Sequence, residues 1–71
     1  MKIKIEAVKK LIKNEFQNKL SLFVKAIKMD YSYVNQIMNG HKSPEGKKIC
    51  DKVIQLCNDR GLDYNEYIDF F

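Results

Sequence analysis

A chain of 71 residues with 45% hydrophobic and 31% charged side chains supports one small folded domain, residues 1–71, and its composition is not that of a disordered protein. No apolar run approaches the roughly 18 residues of a membrane span, and charges interrupt the N-terminal segment, so we expect a cytoplasmic protein without a signal peptide or a membrane partner. The net charge of +4 favours a polyanionic partner without establishing one. With only three glycines and one proline, the chain is expected to be all-α.

The N-terminal segment MKIKI alternates between apolar and charged residues, which is compatible with a short edge strand. We expect instead a disordered arm that leads into a first helix, because Ile5, Val8 and Ile12 follow at spacings of three and four. Residues 14–19 would then connect this helix to the next one, with Asn18 as the expected N-cap.

Two short helices are predicted in the centre of the chain. The apolar stripe of the first helix consists of Leu20, Phe23, Val24 and Ile27. After a break at residues 28–30, Asp30 is expected to cap the second helix by accepting from its free backbone N–H groups. Gly40 is expected to end that helix, because glycine adopts the left-handed conformation without a clash at Cβ.

The exposed side of the second central helix carries amides, hydroxyl groups and a tyrosine in place of the lysines and glutamates of an ordinary solvated face. These residues are Tyr31, Ser32, Asn35, Gln36 and Asn39. Short polar and planar groups of this kind can hydrogen-bond base edges and phosphates. The spacing alone fits an ordinary helical hairpin equally well, so the chemistry of this face is what favours a DNA-binding helix-turn-helix.

The C-terminal third of the chain contains two further helix signals. Serine, proline and an acid at residues 43–45 form a helix start, so a helix is expected from Pro44 to about Arg60, where Gly61 ends it. Residues 63–66 have the spacing of a capping box and predict a last short helix. The sequence therefore predicts about five helices.

Cys50 and Cys57 lie seven residues apart on this predicted helix, which places their Cα atoms ~10.5 Å apart at 1.5 Å rise per residue. A disulfide needs less than about 7 Å, so the pair is expected to be reduced and buried. With His41 as the single histidine and no paired carboxylates or phosphate-binding glycine loop, we expect neither a metal site nor a cofactor, and no enzyme activity.

The segment LSLFVKAIKMDYSYVNQIMNG, followed by HKSPEG, resembles the helix-turn-helix family of phage repressors and Cro proteins, the lambda-repressor-like or XRE type. The residues that match the buried positions of the family are Phe23, Ile27, Met29, Val34 and Ile37, and Asn39-Gly40 matches its helix end. The chain differs from the family pattern at Val24, Lys28 and Met38, where the family prefers alanine, glycine and glutamate.

This resemblance implies a compact all-α bundle of about five short helices and a small transcriptional regulator that binds double-stranded DNA. The second helix of the motif would lie in the major groove. The expected base contacts are Tyr31, Ser32 and Gln36, to which the polar chemistry of the same face adds Asn35 and Asn39. The expected phosphate contacts, in the loop after Gly40 and at the start of the next helix, are His41, Lys42, Ser43 and Lys47.

A protein-interaction module on the same fold, such as an antirepressor, is the alternative function. The proposed DNA-reading helix contains neither arginine nor lysine, although arginine to guanine is the commonest specific contact, and Arg60 is the only arginine in the chain.

The apolar, aromatic tail is expected to provide a homodimer interface through a C-terminal helix. Its predicted contact residues are Tyr67, Phe70 and Phe71. The alternative is that the tail folds back and covers the core of its own domain.

Overall fold

The computed structural model describes residues 1–70, which fold into four α-helices, one 3₁₀ helix and a two-stranded sheet. The elements in chain order are β1 (Lys2–Ile3), α1 (Ile5–Glu15), α2 (Leu20–Ile27), α3 (Tyr31–Met38), α4 (Lys47–Arg60), the 3₁₀ helix (Tyr64–Glu66) and β2 (Ile68–Asp69). The prediction of a mostly helical, compact domain is confirmed, with a radius of gyration of 10.8 Å. Phe71, a predicted dimer contact, lies outside the described residues.

A single apolar core joins the four α-helices to the small sheet. Within residues 1–70 every fully buried side chain is apolar, so no buried polar group weakens the core. The helical residues of the core are Val8, Leu11, Ile12, Phe23, Val24, Ile27, Val34, Ile37, Met38, Ile49, Cys50, Val53, Leu56 and Cys57. Three members of the predicted α2 stripe are therefore buried, and the fourth, Leu20, is half-buried at the edge of the core.

The expectation of a disordered N-terminal arm is wrong, because residues 2–3 form a strand paired antiparallel with β2. Ile3 lies opposite Ile68, and both side chains are buried in the core. The backbone N–H of Lys4 donates to the Tyr67 carbonyl at 2.8 Å, and that of Ile3 donates to the Pro44 carbonyl at 3.0 Å. Contacts with the opposite end of the chain and with a distant loop hold this segment in place. The local spacing of apolar residues contains no information about such contacts.

The C-terminal segment also differs from the prediction. The predicted short helix at residues 63–66 is a 3₁₀ turn in which the Asp63 carboxylate accepts from the Asn65 N–H at 3.0 Å. After it the chain becomes the strand β2, so the expected C-terminal dimer helix is absent from the described residues.

Two predicted helix starts are wrong. Helix α4 begins at Lys47 with Gly46 as its N-cap, because the Ser43 hydroxyl accepts from the Glu45 N–H at 3.2 Å and forms a separate local turn. Asn18 is not a cap either: it lies in the left-handed region with φ 58°, and Lys19 is the N-cap of α2.

The predicted helix ends at glycine are confirmed. Gly61 is the C-cap of α4 with φ 70°, and Gly40 follows α3 with φ 81°. Both conformations are ones that glycine adopts without strain.

Candidate functional site

The polar face of α3 comprises the five residues that the sequence marks as base contacts, and four of them are exposed. They are Tyr31, Ser32, Gln36 and Asn39, while Asn35 is half-buried at the edge of the face. The opposite side of the helix buries Val34, Ile37 and Met38 in the core. Burial of that side fixes the rotation of α3 about its axis, so the five polar side chains are held toward the surface as a set.

Hydrogen bonds hold both ends of this face in place. At the start of α3, the Asp30 carboxylate accepts from the Tyr33 N–H at 3.0 Å, as predicted for its N-cap. At the other end, the Asn39 amide donates through Nδ2 to Oδ1 of Asn35 at 3.0 Å. The second bond joins two members of the face one turn apart and orients both amides.

Residues 28–30 form the turn between α2 and α3. Lys28 adopts the left-handed conformation with φ 57° and ψ 51°, and its N–H donates to the Lys25 carbonyl at 3.2 Å. The next N–H, of Met29, donates to the Val24 carbonyl at 3.3 Å. These bonds close the end of α2 and turn the chain into α3 within three residues.

The loop after α3 carries the residues that the sequence marks as phosphate contacts. The backbone N–H groups of His41 and Lys42 both donate to the Gln36 carbonyl, at 2.7 and 3.2 Å. His41, Lys42, Ser43 and Lys47 are all exposed. The loop therefore folds back on the end of α3, which brings His41, Lys42 and Ser43 close to Asn39 at the end of the polar face, while Lys47 follows at the start of α4.

Tyr33 supports this arrangement and was missed by the sequence reasoning. Its ring lies 5.8 Å from Nζ of Lys42, within the range of a cation–π contact. Its hydroxyl oxygen would be 2.8 Å from a Cβ added at Gly46, so the ring reaches the N-cap of α4 and a side chain at that position would displace the Tyr33 hydroxyl. Tyr33 thus packs α3 against the start of α4. Its partners lie in other elements, so local spacing contains no signal for this role.

The start of α4 has the features of an anion-attracting helix end. Gly46 provides no side-chain cap, and the first turn contains no acidic residue but begins with Lys47 and Lys48. Free backbone N–H groups and the positive end of the helix dipole favour a negative group there.

The start of α2 is similar and lies on the other flank of α3. Its N-cap, Lys19, makes no side-chain cap bond, and its first turn contains no acid. Asn18 and Leu20 line a depression of about 280 Å³ together with Asn35 and Asn39 of α3. Lys9 of α1 lines the same depression, so the structure adds Lys9 to the basic residues near the polar face. Lys19 is the chain neighbour of Asn18 and Leu20, two other residues of this lining.

Charge is distributed unevenly along the chain. Residues 1–48 contain eleven lysines and four carboxylates, whereas residues 49–71 contain two basic and five acidic residues. The single arginine is engaged elsewhere: Nη1 of Arg60 lies 3.4 Å from Oε1 of Glu15, and its guanidinium lies 4.6 Å from the Phe16 ring centroid. Arg60 therefore ties the ends of α1 and α4 together.

The predicted dimer contacts do not share one environment. Tyr67 is half-buried against the core, and this burial raises the pKa of its hydroxyl. Phe70 is 47% exposed, and its ring meets that of Tyr64 edge to face at 5.8 Å. Tyr67 thus covers the core of its own domain, while Phe70 offers apolar surface.

The two cysteines are free and buried in α4, and burial raises the pKa of both thiols. Within residues 1–70 no three His, Cys, Asp or Glu side chains cluster as metal ligands would. No helix in the same range combines the length and the apolar character that a membrane crossing requires.

Comparison of the chain with protein-family models, with curated proteins and with solved structures finds no match.

Proposed function

We propose that the protein binds double-stranded DNA as a small transcriptional regulator of the Cro or repressor type. In this proposal α2 and α3 form a helix-turn-helix, and α3 enters the major groove. The observation that carries the proposal is an uncharged hydrogen-bonding face on α3 with an uncapped, lysine-bearing helix start on each side of it.

The two flanks match the layout of a DNA groove. Asn35, next to the start of α2, and Tyr33, next to the start of α4, lie about 160° apart across the exposed side of α3 at 100° per residue. A helix in the major groove, which is about 12 Å wide, has a phosphate backbone on either side. Lys19 and the α2 N-terminus would meet one backbone, and Lys42 with the α4 N-terminus would meet the other.

The roles within the face follow from side-chain chemistry. Gln36, exposed in the second half of α3, carries an amide that can pair with N6 and N7 of adenine. Ser32 and Tyr31 lie at the start of the helix, where they would contact a base edge or a thymine methyl. Lys42 and Ser43 would contact phosphate oxygens, which positions the protein without reading sequence.

Gel-shift titrations at several salt concentrations test this proposal. Gln36→Ala should lower affinity for the selected site by about 1–3 kcal/mol and relax the preference at one base pair. Lys42→Ala should weaken binding to all sequences and reduce the salt slope by about 0.9, one phosphate contact. The matched control is Lys10→Ala, which removes an equally exposed lysine of α1 that lines neither flank of α3. Absence of binding to any duplex at low salt would refute the proposal.

The exposed Phe70 favours a second candidate, a protein-interaction module. Its contact with Tyr64 forms an aromatic surface in a segment that carries Asp63, Glu66 and Asp69, and these carboxylates would repel DNA. A protein partner such as a second copy or another regulator fits this surface better than a polyanion does.

A homodimer through this surface would also serve DNA binding, because paired domains place two reading helices about 34 Å apart in successive major grooves. Deletion of Phe70 and Phe71 should leave the monomer folded and weaken binding to a two-half-site duplex far more than to one half-site. A monomer in sedimentation at high concentration, with unchanged binding of both duplexes after truncation, would refute the dimer.

A further inference from the structure

We infer that the polar face of α3 selects A·T over G·C base pairs; this inference rests on the proposed DNA-binding function and adds the class of sequence bound. Helix α3, Tyr31–Met38, contains no arginine, lysine, aspartate or glutamate. Its contacts with base edges must therefore come from neutral amides, hydroxyl groups and an aromatic ring, and these groups discriminate between the four base pairs by hydrogen-bond pattern and shape.

The Asn35–Asn39 pair sets the pattern that this face presents. The bond from Nδ2 of Asn39 to Oδ1 of Asn35 uses one N–H of the first amide and one lone pair of the second, and it leaves the Nδ2 donor of Asn35 and the Oδ1 acceptor of Asn39 fully available to a base edge. Adenine presents the complement in the major groove, an N7 acceptor beside an N6 amino donor. Gln36, on the same face, carries a donor and an acceptor on one amide and offers this combination again.

The charged groups that recognise G·C pairs best are missing from α3. Guanine presents two acceptors, N7 and O6, which a cationic arginine or lysine reads best. The nearest lysine after α3, Lys42, has its Nζ beside the Tyr33 ring at the flank. Cytosine presents an amino donor that a carboxylate accepts, and α3 contains no carboxylate. The carboxylate of Asp30, just before the helix, is held at the helix start by its bond to the Tyr33 N–H.

Tyr31 adds a contact with the other half of an A·T pair. It is 49% exposed at the start of α3, the end of a reading helix that reaches base edges in the groove. The thymine methyl group is the one apolar group on a base edge, and an aromatic ring can pack against it. The face thus offers amides for adenine and a ring for thymine.

The test is selection of bound duplexes from a random pool at fixed salt, followed by titration of the enriched site and its variants. We expect A·T pairs at two or more adjacent central positions, each worth about fivefold to a hundredfold in affinity over G·C. Replacing the central adenines with 7-deazaadenine, which lacks only the N7 acceptor, should weaken binding at least fivefold. Gln36→Arg should shift the preference at one position from A·T to G·C.

The possible outcomes distinguish a failure of the A·T inference from a failure of the proposed DNA-binding function. Enrichment of G·C pairs at the central positions, or full affinity for the 7-deazaadenine duplex, would overturn the A·T inference while DNA binding itself stands. Binding without enrichment of any sequence would overturn it as well. Failure to bind any duplex at low salt would overturn both.

Discussion

The turn between α2 and α3 contains one strained residue, Lys28, whose backbone lies in the left-handed region with φ 57° and ψ 51°. A residue with a Cβ is destabilised there by about 1–2 kcal/mol, whereas glycine is not. In the opposite direction, glycine increases the conformational entropy of the unfolded chain, which lowers stability by roughly 0.4–1 kcal/mol. We therefore expect Lys28→Gly to raise the free energy of unfolding by about 0.5–1 kcal/mol.

Thermal unfolding followed by circular dichroism measures this gain. In a domain of this size 1 kcal/mol corresponds to about 4–8 °C, so Tm should rise by about 2–8 °C. Lys28→Ala is the matched control, because it removes the same charge and keeps the Cβ. Lys25→Gly, in the last turn of α2, is the second control and should lower stability by about 1 kcal/mol.

Equal Tm values for Lys28→Gly and Lys28→Ala would refute the reasoning, since the backbone would then not be strained at this position. The expected result would also agree with the resemblance to the repressor family, in which this turn position often carries glycine.

Three further predictions concern the core, the α3 cap and pH. Val24→Asp should unfold the domain, because Val24 is 4% exposed and an unpaired buried charge costs several kcal/mol, whereas the free energy of unfolding of a small domain is only ~5–15 kcal/mol. The control Ala26→Asp changes an exposed residue of the same helix and should keep the native helicity in circular dichroism. Asp30→Ala should lower the free energy of unfolding by about 1 kcal/mol in a denaturant titration, since the bond to the Tyr33 N–H is lost; no change would mean that this bond does not stabilise α3. Burial raises the pKa of the Cys50 and Cys57 thiols, so these thiols ionise in the unfolded chain first. Their contribution to stability is fully present at neutral pH and is lost as pH rises from the ordinary thiol pKa through the folded values. Tm should therefore fall less at high pH in the Cys50→Ala, Cys57→Ala double variant.

The sequence predicts those features of the fold whose physical cause is local. The α2 stripe, the Asp30 cap and the glycine ends at Gly40 and Gly61 all depend on residues within about one helical turn of each other. The start of α4 was predicted wrongly for a reason that is also local. The Ser43 hydroxyl has two possible backbone partners, a helix start or a turn, and the sequence pattern does not rank them.

For the candidate site, the sequence identified the exposed polar face of α3 but not its supports. Tyr33 acts through Lys42, in the loop after α3, and through Gly46 at the end of that loop. Lys9 lies at the flank because α1 places it there. Such contacts depend on how the helices are placed against one another. The placement of the helices follows from the fold of the whole chain and cannot be derived from the spacing of neighbouring residues in the sequence.

The N-terminal strand gives the sharpest contrast between local pattern and tertiary structure, and Ile3 tests it. Ile3 is 2% exposed, and its N–H donates to the Pro44 carbonyl at the end of the loop that carries the proposed phosphate contacts. Replacing a buried isoleucine by alanine costs about 2–5 kcal/mol, so Ile3→Ala should lower Tm markedly, and the half-buried Ile5→Ala should lower it less. An unchanged Tm for Ile3→Ala would mean that residues 1–3 are a free arm after all.

A comparison of Ile3→Ala with a second core variant separates an effect on stability from an effect on DNA binding. Val53→Ala removes an equally buried side chain from α4, and at a temperature at which both variants are folded it should bind a nonspecific duplex as the unsubstituted protein does. Ile3→Ala should bind that duplex more weakly, because loss of the buried side chain loosens β1, whose backbone N–H at residue 3 is hydrogen-bonded to Pro44 in the loop that carries His41 and Lys42. Equal affinity of the two variants would show that β1 stabilises the core without positioning the loop.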